Sequence, residues 1–584
     1  MKKILIGIFF TLSIFASEAT LAEITVEATN ITPLTSEGEV LQMQETSPGL
    51  KQPVIDGLMG DKILITLDGN RFTNAMFRSG PNQYYSWVPD DFVLYNSIND
   101  TLLNNSLGGT IERKIGISEN EFSVNVSENT FHTFLGYGDE TLEFGVSITE
   151  NGDVVTPEGK VEHSDYNQKG IYLGLNTIYG KTKFIFSESD DIPRNDKFQK
   201  GDYYVFDLQR YVMISHTYNI PNTNIVIQPS YQHFNDSYTY DKKNDGIDVS
   251  YNKNTNDILG LNVSNFHRGL IQTEDVFSYG LTEHYEDLQY QENIDGTPSK
   301  NNKYYYNTLS VWTKYNAPLS KNWDYTITYN FSWMKTKGDN NIDKSMTGSA
   351  FGISTKYKYT KDGFIYSSIN TNFKFPTITD LAEARKYDSI PEVSNAFLTK
   401  EQALTYRIGI FYQGAELSLF YKEVKDMITR EYIKSSDGYD GTDIYVNADG
   451  RIKGISIAYN RTIGEVDLHL AGEYVDAKTY DYGYLSKVQP ITLESKITYF
   501  GGFVEWLYAP EIPEDKMAYR DFSDIRTSEH HYGYNIVNFG YIYNYKDHEF
   551  SLYLDNAFDN RGRVYGSAVD FNERRLRAGY KYNF

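Results

Sequence analysis

The feature that most constrains this chain is a long succession of short segments in which apolar and polar residues alternate. From about residue 119 to the last residue, turns rich in Asn, Asp and Gly separate segments such as AELSLFYKE (415–423), EFSLYLD (549–555) and LRAGYKYNF (576–584). Successive side chains of a strand point to opposite faces, so each segment has one apolar face. A soluble sandwich would need a second layer over every apolar face. The long run therefore favours a transmembrane β-barrel.

The composition agrees with a barrel. The sequence contains 51 Tyr and 33 Phe, yet its mean hydropathy is −0.51 and 23 % of its residues are charged. In a barrel only every second residue faces lipid, and aromatic side chains gather at both membrane interfaces. Beyond the N-terminal segment no run of about 18 apolar residues occurs, which excludes helical spans. The net charge of −23 argues against a nucleic-acid partner, and the absence of Cys fits an oxidising export route.

The N-terminus has the pattern of a secretory signal peptide. Met1-Lys2-Lys3 forms a positive start, residues 4–15 are largely apolar, and small residues follow at Ala19 and Ala22. We expect cleavage after Ala22, with Ala19 as the alternative site. Residues 1–22 are therefore expected to direct export and to be absent from the folded protein.

The spacing of the turns predicts the size of the barrel and the side of each loop. At roughly 20 residues per strand and loop, the barrel region provides about 22 antiparallel strands, a size class whose lumen is plugged. If the last strand ends in the periplasm, residues 559–573, 509–530 and 479–488 lie outside, whereas 545–548 and 501–502 are periplasmic turns. Long loops then fall outside and short turns inside, as in bacterial outer-membrane barrels.

Residues 23–118 carry short motifs rather than alternating segments. They include EITVEA (23–28), LDGNR (67–71) after an apolar strand at 63–67, FRSGPNQY (77–84) and LGGTI (107–111), and DNAFDNR (555–561) follows late in the barrel. In order and spacing these motifs resemble those of TonB-dependent outer-membrane receptors. The resemblance implies a TonB box at 23–28, a shortened α+β plug domain at 29–118, with a second strand near 92–95, and a transmembrane β-barrel at 119–584.

The resemblance also implies roles for particular residues. Those expected to bind periplasmic TonB, which acts with ExbB and ExbD, are Glu23, Ile24, Thr25, Val26, Glu27 and Ala28. Those expected at the plug apex, in contact with a ligand, are Phe77, Arg78, Asn82, Gln83, Tyr84 and Tyr85. A rigid Gly80-Pro81 turn is the structural alternative for that loop. Arg71 and Arg113 are expected to pair with carboxylates of the barrel wall.

The last residues and the setting of the protein follow from the same resemblance. Tyr580, Tyr582 and Phe584 resemble the signal that the barrel assembly machinery recognises. The protein is expected to be a monomer in the outer membrane of a Gram-negative bacterium, surrounded by lipid and lipopolysaccharide, with no cofactor. It is not expected to be an enzyme, because no His-Glu-x-x-His, Cys nucleophile or Gly-x-Ser-x-Gly motif occurs.

A pair of motifs in the middle of the barrel bears on the ligand. FKFPTITDL (373–381) and NAFLTKEQALTYRIG (395–409) resemble paired motifs best known from haem receptors, in a loop after about the thirteenth strand. The loop lacks the His that commonly binds haem there. We therefore expect import of a scarce, bulky nutrient, with a ferric siderophore or other iron complex as the first hypothesis. Haem or cobalamin stays an alternative, and a passive, partly plugged porin or a surface adhesin would be proteins of a different class.

Overall fold

The chain forms a closed antiparallel β-barrel of 22 strands. The computed structural model describes residues 43–47, 50–72, 90–96, 105–117, 119–198, 201–382, 392–433, 442–518, 521 and 533–584. In chain order the barrel strands are β1 (Glu121–Ser127), β2 (Thr130–Gly138), β3 (Leu142–Asn151), β4 (Tyr166–Thr177), β5 (Gly180–Pro193), β6 (Tyr203–Asn219), β7 (Val226–Asp241), β8 (Ser250–Arg268), β9 (Val276–Ile294), β10 (Thr297–Ser320), β11 (Trp323–Gly338), β12 (Ile342–Thr360), β13 (Gly363–Lys374), β14 (Glu401–Tyr412), β15 (Ala415–Ile433), β16 (Thr442–Ile463), β17 (Val466–Thr479), β18 (Ile491–Tyr499), β19 (Gly502–Ala509), β20 (Tyr534–Tyr545), β21 (His548–Asp555) and β22 (Arg575–Asn583). Strand β22 pairs with β1, Ala578 opposite Val126, which closes the barrel. The predicted fold class and strand number are confirmed.

The alternation of the sequence maps directly onto the two faces of the barrel. On β15, Leu417, Leu419 and Tyr421 are exposed on the outer face, whereas Ser418 and Lys422, at the alternate positions, are buried on the luminal side. The same arrangement recurs around the barrel, because successive side chains of a strand point to opposite faces. The sheet thus presents an apolar outer band and encloses a polar interior, as its composition predicted.

The two ends of the barrel differ in the length of their connections. Those after even-numbered strands are all short, for example 464–465 and 546–547. Those after odd-numbered strands include five long loops, 152–165, 375–400, 480–490, 510–533 and 556–574. We refer to the short-turn end and the long-loop end. The predicted outer loops all lie at the long-loop end, and loop 375–400 follows the thirteenth strand, as the sequence predicted.

The plug residues that the structure describes form two small sheets. The strands of the first are Met43–Ser47, Leu50–Ile55 and Leu58–Met59. The strands of the second, in spatial order, are Asn70–Arg71, Ile63–Leu67, Gly109–Ile115 and Asp90–Asn96. The central pair of the second sheet is parallel, with Ile65 opposite Ile111. Both strands expected in this region, at 63–67 and near 92–95, are therefore present.

The second plug sheet packs inside the barrel. Ile63, Ile65 and Leu67 are buried in one cluster with Tyr172 of β4 and Tyr211 of β6. Ordinary apolar burial of this kind contributes about 25 cal/mol per Å² removed from water. It fixes the sheet against one part of the wall, and the polar contacts described below fix its orientation.

The remaining elements are short. They are the hairpin strands Val155–Thr156 and Gly159–Lys160, strands Glu392–Val393 and Gly483–Tyr484, α-helices Asn195–Phe198 and Ile378–Leu381, and 3₁₀ turns Gly60–Lys62, Lys242–Asn244 and Glu514–Lys516. Helix 378–381 begins within the FKFPTITDL motif, where Thr377 and Asp380 cap each other's backbone N–H. Within the described ranges, none of the helices has the length and apolar character needed to cross a membrane.

Candidate transport site at the plug and the barrel lumen

Two Asp-Gly turns shape the plug. Asp56-Gly57 joins strands 50–55 and 58–59, and Asp68-Gly69 joins strands 63–67 and 70–71. All four turn residues have positive φ, between 48° and 78°. This is the conformation of a two-residue type I′ hairpin, which Gly adopts freely and Asp tolerates. Each tight turn leaves an aspartate at the tip of a hairpin, where its carboxylate meets the barrel wall.

Asp56 binds two cations of the wall. Arg407 of β14 donates from Nη2 to Oδ1 at 2.6 Å and to Oδ2 at 2.8 Å. Lys422 of β15 lies 3.4 Å from Oδ2 and donates to the carbonyl oxygen of Leu107 at 2.8 Å. The side chains of Asp56, Arg407 and Lys422 are 2 %, 3 % and 0 % exposed. Glu473 of β17 is also within electrostatic reach of both cations. Removing Asp56 would take away the carboxylate that contacts them both, at the cost that a broken buried ion pair carries.

A second ionic contact lies beside the first. Asp61 Oδ2 is 2.7 Å from Nζ of Lys374 on β13, and Lys62 pairs with Glu401 on β14. Glu401 also lies 3.5 Å from Lys374. Glu401 therefore contacts one lysine of the plug and one lysine of the wall. Burial opposes ionisation of Asp61, but Lys374 and Lys62 outweigh it and hold the pKa of Asp61 below its ordinary value. We call the luminal side of β13–β15 the clamp wall.

Asp68 meets the barrel nearer the short-turn end. Its Oδ2 lies 2.7 Å from Nζ of Lys183 on β5, and its Oδ1 accepts from the backbone N–H of Ile115 at 3.2 Å. The side chains of Lys183 and Asp68 are 13 % and 14 % exposed. This pair is therefore less desolvated than the pairs of the clamp wall, and we expect its loss to matter less.

Farther around the barrel, the plug meets β7 and β8 through neutral groups. Gln228 donates to the carbonyl oxygen of Asp68 at 3.0 Å, and Gln232 donates to that of Arg71 at 2.9 Å. Closer to the long-loop end, the same wall presents Asp236, Asn254, Asn256 and Glu286, all buried. We call the luminal side of β7–β9 the amide wall. A neutral hydrogen bond contributes only about 0.5–1.5 kcal/mol net, so each of these two bonds holds the plug less firmly than a buried ion pair of the clamp wall does.

The two arginines expected to pair with wall carboxylates lie in the plug's second sheet. Arg71 is buried, and this burial lowers its pKa to about 10, while the nearby Tyr306 and Glu286 of the wall act in the opposite direction. Glu286 is thus a wall carboxylate within electrostatic reach of Arg71. Arg113 lies within electrostatic reach of the buried phenol of Tyr211 on the barrel wall. The pairing of Arg113 with a carboxylate stays a prediction.

The first plug strand, 43–47, is bound to the long-loop end of the barrel. Gln44, fully buried, donates from Nε2 to the carbonyl oxygen of Lys487 at 2.6 Å and to that of Tyr565 at 3.0 Å. These carbonyl groups belong to the loops 480–490 and 556–574. One amide side chain of the plug therefore joins two loops of the barrel.

Backbone contacts continue the same connection. The N–H of Glu45 donates to Oγ of Ser567 at 2.9 Å, and its carbonyl oxygen accepts from the N–H of Ala568 at 2.7 Å. Asp521 of a third long loop accepts from the Tyr565 hydroxyl at 2.7 Å. Strand 43–47 and the loops form one hydrogen-bonded layer, which we call the outer cap.

Several residues singled out from the sequence lie outside the described residues. They are the TonB-box residues 23–28 and the apex residues Phe77, Arg78, Asn82, Gln83, Tyr84 and Tyr85. The apex loop is flanked by described residues, of which Phe72 packs edge-on against Tyr211 at a centroid distance of 5.1 Å. Tyr580 and Tyr582 lie in β22, and Phe584 follows it.

Sequence reasoning missed the acids that fix the plug. It expected plug arginines to meet wall carboxylates, whereas Asp56, Asp61 and Asp68 of the plug meet wall lysines and an arginine. The available signal was the repeated Asp-Gly, because such a pair between apolar runs predicts a tight hairpin with an aspartate at its tip. Only the second Asp-Gly was read that way. Among the described residues, no group of three or more His, Cys, Asp or Glu side chains is arranged to hold a metal ion.

The protein has a wide barrel whose lumen contains an N-terminal domain bound to the wall by ion pairs and hydrogen bonds. This arrangement is that of the plugged outer-membrane receptors. A family model described as the β-barrel of TonB-dependent receptor-like proteins matches residues 144–557. The chain therefore belongs to the TonB-dependent receptor family, whose members are transporters of the outer membrane and work with TonB. The comparison with curated proteins found no match.

Solved structures of this family share the fold. The copper transporter OprC is 13 % identical, with 93 % of each chain covered and a TM-score of 0.77. The FrpB iron transporter from Neisseria meningitidis (F5-1 variant) is 11 % identical, with 93 % of this chain and 96 % of that one covered and a TM-score of 0.70. The ferric yersiniabactin uptake receptor FyuA from Yersinia pestis is 14 % identical, with 93 % of each chain covered and a TM-score of 0.65. At such identities the likeness shows the fold alone. The long-loop end is hereafter called extracellular and the short-turn end periplasmic.

Proposed function

We propose that this receptor imports a scarce, bulky nutrient, and that the nutrient is a ferric siderophore or another iron complex. The observation that carries the transport proposal is the plug held across the lumen by buried ion pairs, because a bulky solute passes only when that plug rearranges. Iron is favoured by two similar structures, an iron transporter and a ferric yersiniabactin uptake receptor. Copper and haem, bound or transported by two other similar proteins, are the competing cargoes, together with cobalamin.

The energy for this rearrangement is proposed to come from TonB, driven by ExbB and ExbD. Glu23–Ala28 would add as a strand to TonB, which needs free backbone N–H and C=O groups. Strand 43–47 is the first described part of the plug after this segment. A pull on the N-terminus would therefore act first on Gln44 and Glu45, and so on the outer cap. This arrangement supports an outer cap that loosens when TonB engages.

The ligand is proposed to reach the plug apex, where Arg78, Asn82, Gln83 and Tyr84 offer donors and an aromatic ring. Arg78 could give an anionic chelate a charge-assisted fork. We expect Arg78→Ala together with Tyr84→Ala to weaken binding by about 2–4 kcal/mol if both contacts are desolvated. Unchanged affinity for the nutrient that supports growth would restrict the site to the extracellular loops.

The remaining partners are proposed from the fold. The barrel assembly machinery would recognise the terminal Tyr580, Tyr582 and Phe584, and lipid with lipopolysaccharide would surround the exposed outer face. Phe584→Ala is expected to slow assembly, seen as less heat-modifiable protein in the outer membrane. A monomer is expected, since each barrel contains its own plug.

The proposed function is tested by blocking strand addition without shortening the chain. Val26→Pro removes a backbone N–H from the TonB box, and Thr32→Pro is the matched control beside the natural Pro33. We expect Val26→Pro to abolish growth on the limiting iron source while Thr32→Pro preserves it. Uptake that survives Val26→Pro would indicate a passive, partly plugged porin. Binding of the nutrient without any periplasmic accumulation in the wild type would indicate an adhesin.

A further inference from the structure

One part of the barrel lumen is open to water beside the plug. Plug residues pack on the wall from β4, where Ile63 lies in one cluster with Tyr172, round to β17, where Leu58 lies in one cluster with Val475. The ring continues with β18–β22 and β1. These six strands carry charged luminal side chains that water reaches, and we call their luminal side the open wall.

The exposure of its cations distinguishes the open wall from the clamp wall. The side chains of Arg577 and Lys581 on β22 are 41 % and 29 % exposed, and that of Lys496 on β18 is 37 % exposed. Arg577 and Lys581 face the lumen, because the residues that alternate with them, Leu576 and Tyr582, are exposed on the outer face. The two cations that bind Asp56 on the clamp wall are almost completely buried.

The ion pairs of the open wall are correspondingly hydrated. Arg577 Nη2 donates to Oδ1 of Asp555 at 2.9 Å, and Asp555 is 19 % exposed. Glu505 of β19 accepts from Nδ2 of Asn538 at 2.7 Å and lies 4.0 Å from Lys496. Partly exposed pairs of this kind contribute little to stability, and their charged groups keep water around them. The open wall thus has the chemistry of a water-filled surface.

Water also reaches this wall well inside the barrel. Asn125, four residues into β1, is exposed although it faces the lumen between the outward Val124 and Val126. It lies opposite Gly579 of β22, and a Cβ on that glycine would be 2.6 Å from its Oδ1. Asn125 therefore marks the middle of the open wall.

The outer cap closes the lumen above the open wall. Loop 556–574 folds inward over the tops of β19 and β20, and the apolar cluster that it forms there comprises Ala509, Tyr534, Ile536, Val564 and Phe571. The Phe571 and Tyr534 rings meet edge-on at a centroid distance of 5.2 Å. Ala509, Tyr534 and Ile536 are buried, whereas the luminal side chain two residues farther along β20 is partly exposed. An apolar lid thus lies over a hydrated space.

We propose that the open wall lines an aqueous path for small hydrophilic solutes, which the outer cap closes at its extracellular end. This activity goes beyond the import of a bulky nutrient, which still requires the plug to move. Side chains of both charges line the path, so a solute that is small and well hydrated matches it. The path does not depend on the proposed function; only its opening by TonB, through Gln44, rests on that proposal.

The hydrated space is tested by cysteine labelling of the full-length mature protein in detergent. Asn125→Cys and Ser418→Cys, which lies at a 3 % exposed position of the clamp wall, are treated with a small hydrophilic maleimide before and after unfolding. We expect complete labelling of folded Asn125→Cys, and labelling of Ser418→Cys only after unfolding. Protection of Asn125→Cys in the folded protein would overturn the proposal.

The lid is tested by ionic conductance in a planar lipid bilayer. Phe571→Asp places a carboxylate in the apolar cluster, where it can regain water only if the lid opens. Phe198→Asp is the matched control, because Phe198 meets Tyr203 edge-on at 5.5 Å at the same end of the barrel, on the side that the plug fills. We expect the wild type and Phe198→Asp to stay closed and Phe571→Asp to conduct steadily. A bulky maleimide on Asn125→Cys should then lower the conductance of Phe571→Asp.

Every outcome bears on the path and not on the proposed function, since neither measurement involves TonB or the nutrient. A Phe571→Asp protein that assembles without conducting, equal conductance from Phe198→Asp, or conductance that the maleimide leaves unchanged would overturn the proposal, whatever Val26→Pro does to uptake. Gln44→Ala, which removes the amide that joins two loops of the outer cap, is the second lid variant. It should also conduct, and it decides the matter if Phe571→Asp fails to assemble.

Discussion

The clamp wall and the amide wall hold the same plug by different chemistry. At β13–β15 the contacts are buried ion pairs, with Asp56 between Arg407 and Lys422. On the amide wall they include hydrogen bonds from Gln228 and Gln232 of β7 to backbone carbonyl groups, and Glu286 of β9 lies within electrostatic reach of Arg71 of the plug. Breaking one partner of a buried ion pair costs about 3–5 kcal/mol, whereas a neutral hydrogen bond contributes about 1 kcal/mol.

This difference indicates where the plug gives way first. A pull shared by both sides separates the weaker contacts before the stronger ones, so we expect a passage to open along the amide wall at β7, where the plug contacts are neutral, while the clamp wall still holds. The backbone carbonyl groups released there can bind water, whereas separated charges on the clamp wall would remain buried.

The largest loss of plug stability is expected from Asp56→Ala. It removes the carboxylate that contacts both Arg407 and Lys422, while Glu473 stays within electrostatic reach of both cations, and we expect a cost of about 3–5 kcal/mol. We expect a plug that seats poorly and cells that become sensitive to vancomycin, a solute too large for an intact barrel. Asp68→Ala, at the partly exposed pair, is the control and should sensitise cells less. Equal sensitivity for the two variants would remove the distinction between buried and exposed pairs.

Acid should act on the clamp wall through Asp61. Its pKa is held below the ordinary value of 3.8, so its contribution to stability is present above that value and is lost as the pH falls through the lower folded-state pKa. We expect the mid-point of denaturant unfolding of the purified protein to fall over this acid range. In Asp61→Asn this component should be absent. An identical pH profile for the variant would exclude Asp61 as the titrating group.

The two Asp-Gly turns of the plug differ in how tightly they pack against the barrel wall. A Cβ on Gly57 would lie 2.7 Å from Cγ1 of Val475, whereas one on Gly69 would meet only Gln228 Oε1 at 3.8 Å. Both positions have φ above 70°, so Ala is strained by about 1–2 kcal/mol at either. Gly57→Ala should therefore destabilise the plug more than Gly69→Ala, as measured by thermal unfolding in detergent. The reverse order would contradict the tight seating of the first turn.

The smallest loss of plug stability is expected from a substitution on the amide wall. Gln232→Ala removes two neutral hydrogen bonds, one to the carbonyl of Arg71 and one from the Tyr211 hydroxyl, each worth about 1 kcal/mol. Plug stability should fall slightly, and vancomycin sensitivity should stay near that of the wild type. A loss as large as that of Asp56→Ala would show that the two walls hold the plug equally.

Local patterns predicted the barrel because each strand is encoded within its own ten to twenty residues. The period of two in 415–423 and the turn at Asp68-Gly69 needed no partner to be recognised. The clamp wall could not be found this way, because Asp56 and Arg407 are 351 residues apart. Nothing in the local sequence around either residue says which luminal positions meet.

The most direct test of this account uses two matched serines in a chain that has no Cys. Ser230 of β7 and Ser418 of β15 are both 3 % exposed, and each lies near the periplasmic start of its strand. Ser230→Cys and Ser418→Cys are labelled in whole cells with a small hydrophilic maleimide, with TonB present and absent. We expect labelling of Ser230→Cys only when TonB is active, and no labelling of Ser418→Cys. Labelling of Ser418→Cys before or together with Ser230→Cys would contradict opening along the amide wall.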